Sequence, residues 1–491
     1  MMLPLFILIP LLAAFLITLV AGKKDVWGIV LSLIAGAALL IMAVISFLRL
    51  NGQTVVYELG NWQLPFGIAL VLDSLSGFML VIVNLIALTS ILYSIQYIRH
   101  LGQDFKYYSL FMLMLTGMNG VILTGDIFNL YVFMEVALLA AFSLVAFGCR
   151  AEEFEAAFKY AVMGSVSSIL ILIGIGVTYS ATSTLTMARM AQNITTLSPE
   201  LVLWIGGLFL AGFGLKAAAM PFHAWLPDAH SSAPAPISAM LSGVLIKALG
   251  VYVLIRLFFN VFNAPAIILQ LMVLLGLISI IVGVFLAIGQ WDMKRLLAYH
   301  SISQIGYVLL GIGLGTPLAI LGGVYHLLNH ALFKGLLFYN AGAVEVALGT
   351  RNLKQMGNLT KLLPVTGSTS MIASLSIAGL PPFNGFFSKL IIIIAAVQAG
   401  YPLVAFLAVA GSILTLASFM KVQRYGFHGE RKVEKVEQRP GWNMNAAMIT
   451  LAALCLLTSL LVVPGVRDVA LDPVVNVILE KTEYIQLVIG R

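Results

Sequence analysis

The stretch FGLKAAAMPFHAWLPDAHSSAPAPISAMLSGVLIKALGVY (213–252) decides how this chain is to be read. Its ends are apolar enough to lie in a bilayer, yet they hold Lys216 and Lys247, and Pro221 and Pro227 interrupt the helix between them. Proline removes an amide donor and clashes with the preceding turn, which frees backbone carbonyls. At membrane depth, free carbonyls are tolerated only where protein or a wet cavity receives them. An ionisable side chain at mid-membrane costs at least ~2.5–3.5 kcal/mol, so both lysines call for a reason. The usual reasons are an ion path, a counter-charge to a substrate, or a structural ion pair.

The rest of the chain supplies the membrane. Of its 491 residues 61% are hydrophobic and only 10% charged, the composition of a polytopic membrane protein. A window of ~19 residues finds about fourteen candidate spans, with the broken stretch as the seventh (202–229) and a second broken span, the twelfth, at 366–397. The apolar run at 1–22 lacks a basic leader region and reads as the first span. Loops after odd-numbered spans hold seventeen lysines and arginines, against six on the opposite side. Arg256 and Lys294 count among these loop residues, on opposite sides. The bias places both termini outside the cytoplasm of a multi-pass plasma-membrane protein. The net charge of +7 is therefore topological, and nucleic-acid binding is excluded.

Cys149 and Cys455 show no metal or redox spacing and read as buried small hydrophobes. Residues 51–73 alternate weakly and suggest an external strand pair followed by an interfacial helix. Residues 428–441 read as a solvated charged loop, and the tail after Pro464 as a short amphipathic helix.

The second break, SIAGLPPFNGFFSKL (376–390), echoes the first: Pro-Pro-Phe-Asn against Met-Pro-Phe-His, 161 positions apart. GDIFNLYVF (125–133) and WDMKRLLAY (291–299) repeat at an offset of 166. Two five-span units follow, spans four to eight and nine to thirteen, the second inverted. Paired interruptions of this kind point to a transport site. The expected organisation is 1–107 for three N-terminal spans with an external loop, 108–260 and 261–424 for the repeats, and 425–491 for the charged loop, last span and tail.

Three further charges lie inside spans: Glu135, Lys334 and Lys389. Burial disfavours the charged form of a lysine and a nearby carboxylate restores it, so Glu135, the single mid-span carboxylate, is the natural partner of Lys216. Lys247 has no acid in its own span, and Lys389 follows the second break. His326, His330 and Lys334 recur every fourth residue and form one polar stripe. Histidine titrates near neutrality and suits proton exchange. Zinc at His326 and His330 would need ligands that no cysteine or HExxH motif supplies. His300 extends the same polar line, while His223 and His230 flank the first break in either a cavity or a loop role. Asp73 and Asp126 read as helix termini. No haem, flavin or iron–sulfur motif is present, so no cofactor is expected in this chain.

Together with LTGDIFNLYVFMEV (123–136), DMKRLLAYHSISQIGY (292–307), HLLNHALFKGLLF (326–338) and GLPPFNGFFSK (379–389), the opening stretch resembles the proton-pumping antiporter family. That family includes the Mrp-type multisubunit sodium/proton antiporters and the antiporter-like subunits of respiratory complex I and energy-converting membrane hydrogenases. Within it the chain is most similar to the D-type subunits of the Mrp antiporters. The resemblance implies an all-α fold of fourteen transmembrane helices, two inverted five-helix repeats, and broken helices at spans 7 and 12. It places the family's translocation residues on Glu135, Lys216, Lys247, His326, His330, Lys334 and Lys389. It also implies other membrane subunits as partners, lipid around them, protons with sodium as a second candidate ion, and no enzymatic activity for the chain alone. Two rivals stand beside this reading: a stand-alone permease for a small solute or cation, and a scaffold whose charges only lock helices.

Overall fold

The computed structural model describes residues 3–20, 26–64, 66–101, 104–430 and 436–490. Lys23, Lys24, Arg431, Lys432, Lys435 and Arg491, which entered the charge count, lie outside the described residues, as does part of the 428–441 loop. Among the described residues, eleven helices are long and apolar enough to cross a membrane, and Leu5–Val20 and Asn384–Gln398 are shorter apolar helices.

Several helices begin where a short polar side chain can take an orphan amide. Asp73 accepts from Ser76 N and starts Ser74–Tyr97; Asp126 accepts from Asn129 N and starts Ile127–Val145. Asp292 does the same for Met293–Gly313, and Thr316, followed by Pro317, for Pro317–Leu348. Proline in the first turn gives up an amide that had no partner there.

The repeat is visible in element lengths and in pairing. Ala151–Thr182 and Pro317–Leu348 both have 32 residues, and Ala235–Val261 and Pro402–His428 both have 27. The latter two each end in a six-residue π-helical turn, Arg256–Val261 and Gln423–His428. Asp126 bridges Thr186, and Asp292 bridges Asn352, both partners of the second bridge standing 166 residues beyond those of the first. The flanking hydrogen bonds keep the same offset: Ile127 N to Leu185 O at 2.9 Å beside Met293 N to Arg351 O at 3.0 Å. These two staples tie the start of the second helix in each unit to the loop after the third.

Helix burial sorts the bundle into centre and rim. The apolar window of Ala235–Val261 is wholly buried, and those of Met293–Gly313 and Pro317–Leu348 are 94% and 89% buried. Rim helices instead expose large apolar side chains, among them Phe158, Ile169, Trp204, Phe285 and Phe406. In a membrane that surface meets lipid tails, and the three central helices are packed almost wholly against protein.

Outside the bundle, Val55–Glu58 and Ala69–Leu72 form the expected antiparallel strand pair, with Val55 opposite Leu72. No interfacial helix follows, because Ser74–Tyr97 starts two residues after the second strand. The tail forms short helices including Asp472–Leu479 and Lys481–Ile489. Cys455 is buried as expected, but Cys149 is exposed, since it lies in the turn before Ala151 and not inside a span.

Two loop assignments are corrected. Arg256 is inside a helix and buried, with a bidentate hold on buried Asp73 at 2.7 and 2.8 Å. Its guanidinium also lies 5.2 Å from the ring of Tyr484, and so fastens the tail to the bundle. Asp73 is a helix terminus as expected, and in addition half of this ion pair. Lys294 is buried as well, 3.2 Å from Glu345. A window of hydropathy assigns residues near helix ends to loops, and both of these fold back under neighbouring elements.

Candidate functional site

At the first break, Pro199–Lys216 stops and Leu226–Ser232 resumes after a turn. The disturbed backbone is satisfied from outside: Trp225 Nε1 donates to Leu215 O at 3.2 Å and Met220 N to Ser279 Oγ at 2.9 Å. Trp225 is stacked on Tyr160, with ring centroids 4.3 Å apart. Gly250 of the next helix sits against Ala217, and a Cβ there would come within 2.8 Å of the Ala217 side chain. This close crossing brings the Lys216 and Lys247 helices together near their charges.

Lys216 is buried and turns away from its own break toward Ala151–Thr182. Its Nζ donates to Gly164 O at 3.0 Å and to Ser168 Oγ at 2.9 Å. Ser168 Oγ donates in turn to Glu135 Oε1 at 2.5 Å. Glu135 is only partly buried, facing the rim of the bundle. The pair anticipated from the sequence is therefore real in proximity and indirect in contact.

The second break lies between Pro364–Ala378 and Asn384–Gln398. Gly385 is required there, because a Cβ would lie 1.9 Å from Ser376 O. Lys389 Nζ donates to the freed carbonyl of Ile377 at 2.7 Å, and Ser412 Oγ to that of Ala378 at 2.8 Å. The Lys389 ammonium also sits 4.6 Å from the Tyr307 ring centroid. Lys389 thus occupies a backbone vacancy that Lys216 leaves to Trp225.

Between the breaks runs the central stripe. His326 Nδ1 is 2.9 Å from Ser388 Oγ, one residue before Lys389. Lys334 Nζ donates to Leu297 O. His300 Nε2 is 2.8 Å from Ser418 Oγ. Lys247 Nζ, both ring nitrogens of His330 and His230, and His326 Nε2 have no hydrogen-bond partner among the described residues, although all four side chains are fully buried. Buried polar atoms are ordinarily paired, so this cluster is where water or a mobile proton would be bound. The members stand within electrostatic reach of one another: His330 of Lys247, Lys334, His326 and His230, and His326 of Lys389. His230 joins this group and also reaches Lys294. His223 does not join it. It is partly exposed and its Nδ1 lies 3.2 Å from Pro221 O, a local turn contact. No group of three or more His, Cys, Asp or Glu side chains suited to a metal ion occurs among the described residues.

The repeat offset explains how the stripe is built. Tyr160, Gly164 and Ser168 stand in the first unit where His326, His330 and Lys334 stand in the second, 166 positions on. One helix face receives the Lys216 ammonium, and its counterpart carries the ionisable groups itself.

The family described as NADH:quinone oxidoreductase/Mrp antiporter, TM matches residues 124–415, more than half of the chain. The chain belongs to this family. The D-type subunit of the Na(+)/H(+) antiporter of Alkalihalophilus pseudofirmus is 38% identical over 413 residues, which cover 84% of this chain and 83% of the relative. Among solved structures, a chain of the Mrp complex from Dietzia sp. DQ12-45-1b superposes with a TM-score of 0.92 at 29% identity, covering 99% of both chains. A chain of the membrane-bound sulfane sulfur reductase, an archaeal respiratory membrane complex, gives 0.91 at 28% identity, again over 99% of both. This NADH:quinone oxidoreductase/Mrp antiporter family member is accordingly an integral, multi-pass membrane protein.

Two members of the site were not anticipated in this antiporter-family chain. Ser168 is one of three serines, with Ser165 and Ser167, in a short stretch of its helix, and only its register with Lys334 could have singled it out. Lys294 sits in the DMKR run of one resembling segment, where a position next to a predicted loop concealed its burial.

Proposed function

We propose that this chain is the antiporter-like ion-translocating subunit of a multisubunit membrane complex, moving protons along Glu135, Lys216, Lys247, His330, His326, Lys334 and Lys389. His230 and His300 belong to the same path, and His223 does not. The observation that carries this reading is the run of fully buried lysine and histidine nitrogens on the central helices that have no partner among the described residues. A scaffold would pair its buried charges, since an unpaired one costs stability and returns nothing. A path for protons needs the opposite: sites that can bind and release a proton or a water molecule.

Displacement of Glu135 from Ser168 changes the field at Lys216. The resulting proton shift passes to Lys247, then through the histidines to Lys389. In low dielectric, a unit charge moved by a few ångström is worth several kcal/mol, enough to drive the next site. Support for its place in a larger assembly comes from the antiporter and respiratory complexes that hold the similar chains. The same reading gives the chain fourteen spans, both termini outside the cytoplasm, units at 108–260 and 261–424, and no cofactor of its own. Redox or ion-gradient energy is then delivered by partner subunits.

The test is proton transport by the purified complex in proteoliposomes, followed with a pH-sensitive dye. Lys247→Met is expected to lower the rate by about 100-fold, the scale of a lost positioned proton-transfer group. Transport at the unaltered rate by the assembled variant overturns the proposal.

A further inference from the structure

A cavity of about 480 Å³ opens to solvent where the Leu226–Ser232 segment of the first break ends. Arg150, Glu152, Glu153 and Glu437 line its rim, and Tyr97, Lys294 and Glu345 its inner wall. Glu345 is 28% exposed and Lys294 1%, so the pair straddles the boundary between water and the buried interior. Glu345 Oε2 accepts from Tyr97 OH at 2.8 Å and lies 3.2 Å from Lys294 Nζ. Its other oxygen is 3.5 Å from Arg351, which is anchored in turn on Asp292 at 3.2 Å. On the inner side, Lys294 Nζ donates to Ala233 O at 2.9 Å. Three residues before Ala233 is His230, wholly buried, with both ring nitrogens unpartnered and with Lys247, Lys294 and Lys334 in electrostatic reach.

We infer that this vestibule is a mouth through which the buried chain exchanges protons with one aqueous side, and that the Glu345–Lys294 pair is its gate. The inference rests on the proton path proposed above. A proton leaves a hydronium ion in the vestibule and forms an O–H bond at Glu345, which releases Lys294. Lys294 gives a proton to an intervening water molecule that passes one on to a ring nitrogen of His230, so one N–H bond breaks and another forms, and Lys294 is refilled from Glu345. One proton has then moved from the vestibule to His230, and the pair is restored. Tyr97 and Arg351 are positioning residues that hold the carboxylate at the boundary.

The test uses the assembled complex in proteoliposomes with Cys149→Ser, because Cys149 is an exposed thiol beside Arg150. Ser232→Cys places a thiol in the vestibule, and a membrane-impermeant sulfonated thiol reagent is added to either side in turn. Reagent on one side is expected to cut proton transport at least about tenfold after assembly is complete. A second variant, Glu345→Ala, is expected to be slowed about tenfold and restored by added acetate, which is small enough for the cavity. Labelled Ser232→Cys at full rate, or a Glu345→Ala defect that acetate does not relieve, overturns the gate. Lys247→Met in the same vesicles separates the two failures. If it abolishes transport while the vestibule variants do not, the path stands and this mouth falls; if it has no effect, the path itself falls.

Discussion

Glu135 and Lys216 do not touch; the Ser168 hydroxyl stands between them, 2.5 Å from Glu135 Oε1 and 2.9 Å from Lys216 Nζ. A direct ion pair would hold the lysine charged in every state. A hydroxyl between the two lets a small movement of the carboxylate alter the field at the ammonium without dragging the lysine along.

Ser168→Ala should break this relay. A hydrogen bond to a charged group contributes about 1.5–3 kcal/mol, so transport should fall roughly tenfold or more. Ser168→Thr keeps the hydroxyl and should retain most of the rate. Equal rates for Ala and Ser in proteoliposome transport would remove Ser168 from the mechanism.

Lys247→Met separates relay from scaffold through stability. The amine is fully buried without a hydrogen-bond partner among the described residues, and replacing it by an apolar side chain of similar length removes a penalty of about 1–3 kcal/mol. The assembled complex should melt at the same temperature or higher while its transport is lost. A lowered melting temperature would make this lysine a structural member.

Lys389→Met should behave differently. Its ammonium holds the freed Ile377 carbonyl, so the variant leaves a buried acceptor unpaired at a cost of about 1–3 kcal/mol. Transport and thermal stability should fall together, and a stability unchanged from wild type would show that the carbonyl finds another donor.

Asp73→Asn should loosen the tail. It leaves Arg256 buried with its charge uncompensated, which costs about 3–5 kcal/mol. Because Tyr484 lies over the same guanidinium, limited proteolysis should cut within 467–490 sooner than in wild type. The paired change Asp73→Leu with Arg256→Met should recover much of the loss, and a tail equally protected in all three proteins would refute the lock.

Much of this arrangement could be read from residue order because its signals are local. Proline in an apolar run marks both breaks, and a polar cap before Ile127 and Met293 marks the same point of each unit. The histidine stripe follows from helical periodicity alone. What escaped depends on contacts between distant segments. Ser168 is meaningful only because Lys216 reaches it across 48 positions. Arg256 and Lys294 look like loop charges until the partners Asp73 and Glu345 are brought in by folding. The strand pair was legible from its alternation, whereas the helix expected after it was absent because Asp73 caps a spanning helix directly.

The stapled five-helix units share their geometry and differ in their chemistry. At the position matching Glu135, the second unit has Ser301, which pairs with Ser242 at 2.7 Å. A chain built from two identical inverted units would look the same from either face and would have no forward direction. By keeping the mid-span acid in one copy and the His326–His330–Lys334 stripe in the other, the protein dresses a repeated frame with two different sets of side chains. Any direction in the path proposed above resides in those side chains, since the repeated backbone alone would have none.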